Sequence, residues 1–293
     1  MLAGFVAAGF PDIDFGLFWV APLEFLIWHR GPTHSLVLLP LWTLLLAILL
    51  SRLSRRGHLW QDYFGICALG LSVHIAGDVI TIYGTKLLTP VSGETFALNL
   101  IFDLDPYIAL IIGVSFLGSL FWRPRRALAL MVFVMAGYLT LQGVMQARTL
   151  ALGEHFAATR GLENVRVDAL PQPFLPLSWM VVVTQEERYW QAYINYFPWR
   201  LITASEKDGL VRRMLAGYRP VDKLEWRLYS RFGHDEATQT LARTVWQQDS
   251  FGPFRQFALL PALYRVDRYE TGEECVWFTE LRHIFPVLPP SFR

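Results

Sequence analysis

Charged side chains are scarce: Asp, Glu, Lys and Arg make up 17% of the 293 residues, against roughly 25% in ordinary soluble domains. The shortage is uneven. Residues 1–146 hold eight of the 25 acidic and eight of the 26 basic residues, so a membrane half precedes a water-facing half. A net charge of +1 and no basic stripe argue against nucleic acid as a partner. The two cysteines, Cys67 and Cys275, have no metal-ligand spacing. One lies in an apolar run and the other in the polar half, which argues against a disulfide and a cysteine-rich metal site. Internal repeats and low-complexity tracts are lacking as well. Residues 1–10, MLAGFVAAGF, are too short to span and carry no basic signal-peptide region. They read as the end of a helix whose beginning is absent.

What the first half does contain is long apolar runs. Spans are expected over Ser35–Leu53, Tyr63–Tyr83, Tyr107–Trp122 and Ala127–Gln146. Pro40 should bend the first of them. The aromatic-rich stretch 15–28 suits an interfacial or re-entrant helical segment. Basic loops follow the first span (Arg52, Arg55, Arg56) and the third (Arg123, Arg125, Arg126). The positive-inside rule puts both in the cytoplasm. By alternation the 11–34 stretch, the 84–106 loop and the C-terminal half face outward. The expected architecture is a membrane α-helical bundle of about four transmembrane helices, residues 1–148, followed by a small extracytoplasmic α+β domain, 149–293.

Ionisable groups interrupt these runs where lipid makes them costly, which marks them as functional candidates. His74 and Asp78 are four apart and share one helical face. His29 and His34 cannot, because Gly31-Pro32 separates them. Their segment reads as a bent loop in which Thr33 can cap the next helix. Two loop imidazoles beside a helical imidazole and carboxylate form a plausible metal pocket, and His29, His34, His74 and Asp78 are expected to converge. Asp12 and Asp14 follow Pro11 and read either as a helix-ending turn or as a pair of hard ligands. One of them should approach the same point.

In the second half, SWMVVVTQ (178–185) and RYWQAYINYF (188–197) read as strands joined at Glu186-Glu187. Residues 205–216 and 234–248 read as helices, and 263–270 with 273–283 as a closing hairpin. His155, His234 and His283 are scattered and read as surface or structural.

The run PDID, HRGPTHS, HIAGDVITIYG and DLDP resembles the YdjM-like family of bacterial inner-membrane metal-dependent hydrolases. The family's elements fall on Asp12 and Asp14, on His29, Arg30, His34 and Ser35, on His74, Asp78, Thr81, Tyr83 and Gly84, and on Asp105. The resemblance covers about residues 3–122. It implies a multi-pass protein of the bacterial inner membrane, and it implies a preceding helix, since members begin earlier. Independently of it, histidines and carboxylates together suit zinc, or manganese or iron, better than calcium or magnesium. Such an ion lowers the pKa of its water toward about 7 and so supports hydrolysis of an ester or phosphoester. Asp12, Arg30 and Asp78 are the candidate catalytic groups, Arg30 as a clamp on an oxyanion. Asp12, Asp14, His29, His34, His74 and Asp78 are the candidate ligands. Ser35, Thr81, Tyr83 and Asp105 read as supporting or substrate-contacting groups. The expected partners are the bilayer and a small-molecule or lipid substrate. Two rival readings stand beside this one. A histidine-nucleophile lipid phosphatase also uses His-x-x-x-Asp, but the chain lacks a Pro-Ser-Gly-His run. A transporter or lipid-binding scaffold needs only a structural metal.

Overall fold

A computed structural model of the protein describes residues 2–54, 59–173, 175–196, 202–205, 207–286 and 288. Arg55 and Arg56 of the first basic loop and Phe197 of the second expected strand lie outside the described residues. The chain divides into two compact units, 1–98 with 252–257, and 99–251 with 258–293.

The first unit opens with α1 (Leu2–Gly9), a 3-10 turn (Pro11–Phe15), α2 (Gly16–Val20) and α3 (Pro22–Trp28). A second 3-10 turn (Pro32–His34) leads to α4 (Leu39–Leu53) and α5 (Trp60–Val79). Small residues let α1 lie close against α5: a Cβ on Gly70 would meet the Gly4 carbonyl oxygen at 2.9 Å and Ala7 at 3.1 Å. Ala7, Leu46, Ala47, Cys67 and Leu71 form the buried centre where α1, α4 and α5 meet. Pro40 does not bend a span running from Ser35. The helix starts at Leu39, placing Pro40 in the first turn, where its missing N–H is no loss. Nor does Thr33 cap α4. The N-cap Leu38 has no side-chain cap bond; Ser35 Oγ accepts the backbone N–H groups of Val37 and Leu38 in the turn that precedes the helix.

The second unit begins with α6 (Pro106–Phe121) and α7 (Pro124–Thr159). Asp105 caps α6 by accepting from the N–H groups of Tyr107 and Ile108, and its other oxygen accepts the Tyr138 hydroxyl of α7 at 2.6 Å. The boundary expected at 148 falls inside α7, whose 36 residues run about 54 Å without a break. Its lower part is largely exposed, while Met145, Thr149, Gly153, Phe156 and Ala157 are buried. An antiparallel sheet takes up that buried stripe: β1 (Arg166–Pro171), β2 (Ser178–Gln185), β3 (Arg188–Asn195) and β4 (Arg227–Ser230), in sequential order. β2 and β3 match the expected strands; β1 and β4 are added to them by pairing. A Cβ on Gly153 would lie 2.4 Å from Val167 and 2.9 Å from Val181, so glycine sets how closely helix and sheet approach. The expected helices are shorter, α8 (Leu210–Ala216) and α9 (Glu236–Trp246). After α10 (Gly252–Phe257), which belongs to the first unit, β5 (Pro261–Arg268) and β6 (Glu274–Glu280) close the hairpin. Residues 281–283 leave the strand in a 3-10 turn, because Glu280 turns its carboxylate back to accept the Arg282 N–H.

Among the described residues, α7 alone is long and apolar enough to cross a membrane by itself. Two bent pairs raise the number to three: 2–9 with 11–20, bent by 45°, and 22–34 with 39–53, bent by 78°. α6 is apolar but has 16 residues, about 24 Å against a hydrocarbon core of about 30 Å. α5 has the length, but Gln61, Asp62, His74 and Asp78 dilute its apolar character.

Of the three scattered histidines, His155 and His234 are exposed, whereas His283 is buried. Burial, helped by the neighbouring Arg282, pushes the His283 pKa down from about 6.5 to about 3. The unfolded chain therefore takes up a proton near pH 6.5 that the folded domain refuses. Stability is complete above that pH and falls as pH drops, by about 1.4 kcal/mol per unit. The expected loss is roughly 2 kcal/mol at about pH 5. His283→Gln, which does not titrate, should flatten that dependence in unfolding curves at pH 7.5 and 5; equal acid sensitivity of both proteins would count against a neutral buried imidazole.

Candidate metal centre

Three interruptions of helix build the site. Pro11 ends α1 and turns Asp12 and Asp14 inward. After α3 the chain reverses through Arg30, whose φ is +54°. Gly31 follows, where a Cβ would press on the Trp28 carbonyl oxygen at 2.8 Å. The Pro32–His34 turn then delivers His34, fully buried. The third group comes from the end of α5, with His74 and Asp78 one turn apart.

Four side chains converge. His34 Nε2 lies 3.2 Å from His74 Nε2, 3.1 Å from Asp78 Oδ2 and 3.8 Å from Asp12 Oδ1. His74 Nε2 lies 3.3 Å from Asp78 Oδ2 and 3.5 Å from Asp12 Oδ1. Ligands held 2.0–2.2 Å from one tetrahedral ion would be about 3.3–3.6 Å apart, and these five separations bracket that range. The ligand atoms of Asp12, His34 and His74 all lie within 4.8 Å of one another. Asp78 Oδ2 is buried and faces the Nε2 atoms of His34 and His74 at 3.1 and 3.3 Å, so a cation held among them would satisfy the carboxylate and both imidazoles. The donor set therefore fits a divalent ion of the zinc, manganese or iron kind.

His29 and Asp14 stand behind this ring rather than in it. Asp14 accepts from His29 Nδ1 at 3.0 Å, from the Arg30 backbone N–H at 3.2 Å and from the Thr33 hydroxyl at 3.2 Å. With its proton given to Asp14, Thr33 Oγ1 is left to accept from His34 Nδ1, 3.0 Å away. In that arrangement an ion bound in the ring would meet His34 through the Nε2 lone pair. A carboxylate holding a ligand histidine through its far nitrogen is the usual outer support of a metal site. Here a threonine sits between them. Sequence reading gave Thr33 another task; its place beside His34 was the available signal.

Arg30 supports the opposite side. It is 8% exposed, and its guanidinium lies 3.3 Å from Asp78 Oδ1 and donates to Thr81 Oγ1 at 2.6 Å. Thr81 in turn donates to the Asp78 carbonyl at 2.8 Å. Arg30 thus aims Asp78. The Tyr83 ring packs 5.1 Å from His29 and 5.1 Å from the Arg30 guanidinium carbon. Ser35 ties the loop down, its Oγ lying against the carbonyls of Leu87 and Thr89. Asp105 belongs to the second unit as the α6 cap.

A family model described as YdjM inner membrane protein matches residues 1–149, a stretch that includes every residue of the ring. An uncharacterized protein of Bacillus subtilis (strain 168), YfhP, is 26% identical over 155 residues, 50% of this chain and 45% of that protein. The chain thus spans less than half the length of this curated relative. No solved structure matches the chain.

Proposed function

The chain belongs to the YdjM inner membrane protein family, and we propose that it is a metal-dependent hydrolase that cleaves an ester or phosphoester at the outer face of that membrane. The observation that carries this reading is the ring of Asp12, His34, His74 and Asp78. A divalent ion bound there would supply Lewis acidity and draw the pKa of adjacent water toward neutrality. His34, His74 and Asp78 would hold it from the protein side, since all three are largely shielded. The Asp12 side chain is 48% exposed, so it faces arriving water and substrate and can accept the proton that water gives up. Arg30, committed to Asp78 and Thr81, positions a carboxylate instead of clamping an oxyanion.

In the topology that goes with this reading, the chain crosses four times, α5 and α6 included. The basic ends at Arg52 and at Arg123–Arg126 are cytoplasmic, and the sheet domain lies outside. A reporter fused after residue 293 should then register on the outer side; a cytoplasmic signal would overturn the orientation.

One observation favours a second reading. Asp78 beside the mutually close Asp12, His34 and His74 would give an ion four protein donors, as in structural sites, which suits a scaffold with a structural metal. The histidine-nucleophile phosphatase fares worse: His74 Nε2, the nitrogen that would attack, already faces Asp78 and His34. The deciding experiment measures the metal content of the purified protein and its turnover of phosphomonoesters, phosphodiesters and carboxylic esters, before and after chelation. Turnover lost with the metal and restored with it supports the hydrolase. Tightly held metal with no turnover of any class leaves the scaffold.

A further inference from the structure

We infer that the substrate of this site is a membrane lipid ester bearing at most one negative charge at the reacting group, and that it reaches the ring sideways along the exposed flank of α5. The inference rests on the hydrolase reading above and adds the substrate's chemistry and its route.

The route follows from where His74 and Asp78 sit on their helix. On one side of them are Cys67, Leu71 and Ile75, all buried. On the other are Ile66, Leu69, Val73, Ala76 and Gly77, all exposed. Leu69 and Val73 are 67% and 62% exposed. The ring therefore lies on the border between the packed and the open face. At that border, a Cβ on Gly77 would meet nothing within 4 Å, so the surface beside both α5 donors is clear. On the α1 side, Ile13, next to Asp12, is 66% exposed. Apart from Asp12 the rim is apolar, and in a membrane protein acyl chains cover such a surface.

The charge limit follows from the carboxylates. Asp12, Asp14 and Asp78 gather around the ring, and the guanidinium that touches it, Arg30, is already turned to Asp78 and Thr81. Lys86, on the neighbouring loop, donates its Nζ to the Ile27 carbonyl at 2.6 Å. A divalent ion brings the three carboxylates and the guanidinium to neutrality, and the remaining charge, on Lys86, is committed to a backbone carbonyl of the neighbouring segment. A phosphomonoester dianion would meet half-exposed Asp12 with no further bidentate cation, among the described residues, to offset the repulsion. A carboxylic ester or a phosphodiester would not. In the reaction, the water oxygen bonds to the carbonyl carbon or the phosphorus as the bond to the alcohol oxygen breaks. The proton passes by way of Asp12 to the departing alcohol.

The test uses the full chain, metal-loaded, in nanodiscs containing diacylglycerol, phosphatidylglycerol or phosphatidic acid, with Gly77→Phe beside wild type. Gly65→Phe is the control. It places the same side chain on an open position of the same helix, 12 residues earlier. Metal content, lipid retained in native mass spectra and lipid turnover are all read. Wild type should retain and cleave diacylglycerol or phosphatidylglycerol over phosphatidic acid. Gly77→Phe should keep its metal, lose lipid retention and lose turnover by roughly a hundredfold, the scale of a misplaced reacting group, while Gly65→Phe behaves as wild type. Release of inorganic phosphate from phosphatidic acid in preference to cleavage of the other lipids, or a Gly77→Phe protein with normal retention and turnover, overturns the inference and leaves the hydrolase reading standing. Bound metal with no turnover of any lipid or soluble ester removes the hydrolase reading and this substrate with it.

Discussion

His34→Ala should strip the purified protein of its divalent ion, while His29→Ala should only weaken binding. Sequence reading gives these two histidines the same standing; the structure separates them. His34 Nε2 is within 3.8 Å of all three other converging atoms, so its removal leaves too few donors and takes one of two imidazoles from buried Asp78. His29 hydrogen-bonds to Asp14 and packs edge-on against His34, with ring centres 5.9 Å apart. Outer partners of this kind are worth about 10–100-fold in metal affinity, and His29→Ala and Asp14→Asn should each fall in that range. The loss in His34→Ala should exceed it. Competition with a chromophoric chelator measures all three constants. If His29→Ala costs as much as His34→Ala, then His29 is itself a ligand and the ring has been drawn too small.

The largest effect on folding is expected at Trp179. The side chain is fully buried in β2, among Met145 of α7, Ala169, Val181, Ala192 and Ile194. It joins the long helix to the sheet. Trp179→Ala should cost about 3–5 kcal/mol, a large share of the roughly 5–15 kcal/mol available to a domain. Trp179→Phe is the informative partner. The indole Nε1 is buried without a hydrogen-bond partner, a state that itself costs about 1–3 kcal/mol. The phenyl ring removes that donor and fills much of the space, so its net cost should be small. Denaturant unfolding followed by near-ultraviolet circular dichroism would give both values. Equal losses in the two variants would mean that the indole nitrogen is bonded after all.

The parts of this molecule that could be read from sequence are those in which local pattern and packing agree. β2 and β3 are runs of β-branched and aromatic residues with a two-residue connection, and both strands were legible. β1, with Asp168 and Pro171 in its six residues, and β4, of four residues, form through pairing with those two strands, which local propensity does not report. The pairing of His74 with Asp78 followed from helical spacing alone. The placing of Asp14 behind His34 did not, because it depends on two separate turns meeting. The boundary near 148 was visible as a change of composition, yet composition does not say whether a helix stops there. α7 continues through it and changes only what it packs against, from Leu141 and Val144, both exposed, to Met145 and Thr149, both buried.

That continuity sets a rule of phase for how the protein can vary. One residue gained or lost between Leu141 and Met145 would rotate everything downstream by about 100° about the helix axis and shift it by about 1.5 Å. Gly153 would then turn away from Val167 and Val181, the two side chains that close on it. Insertions of about seven or eleven residues nearly restore the phase. The distance between the sheet and the apolar first half of α7 is therefore quantised, adjustable in steps of roughly 10 or 16 Å but not continuously.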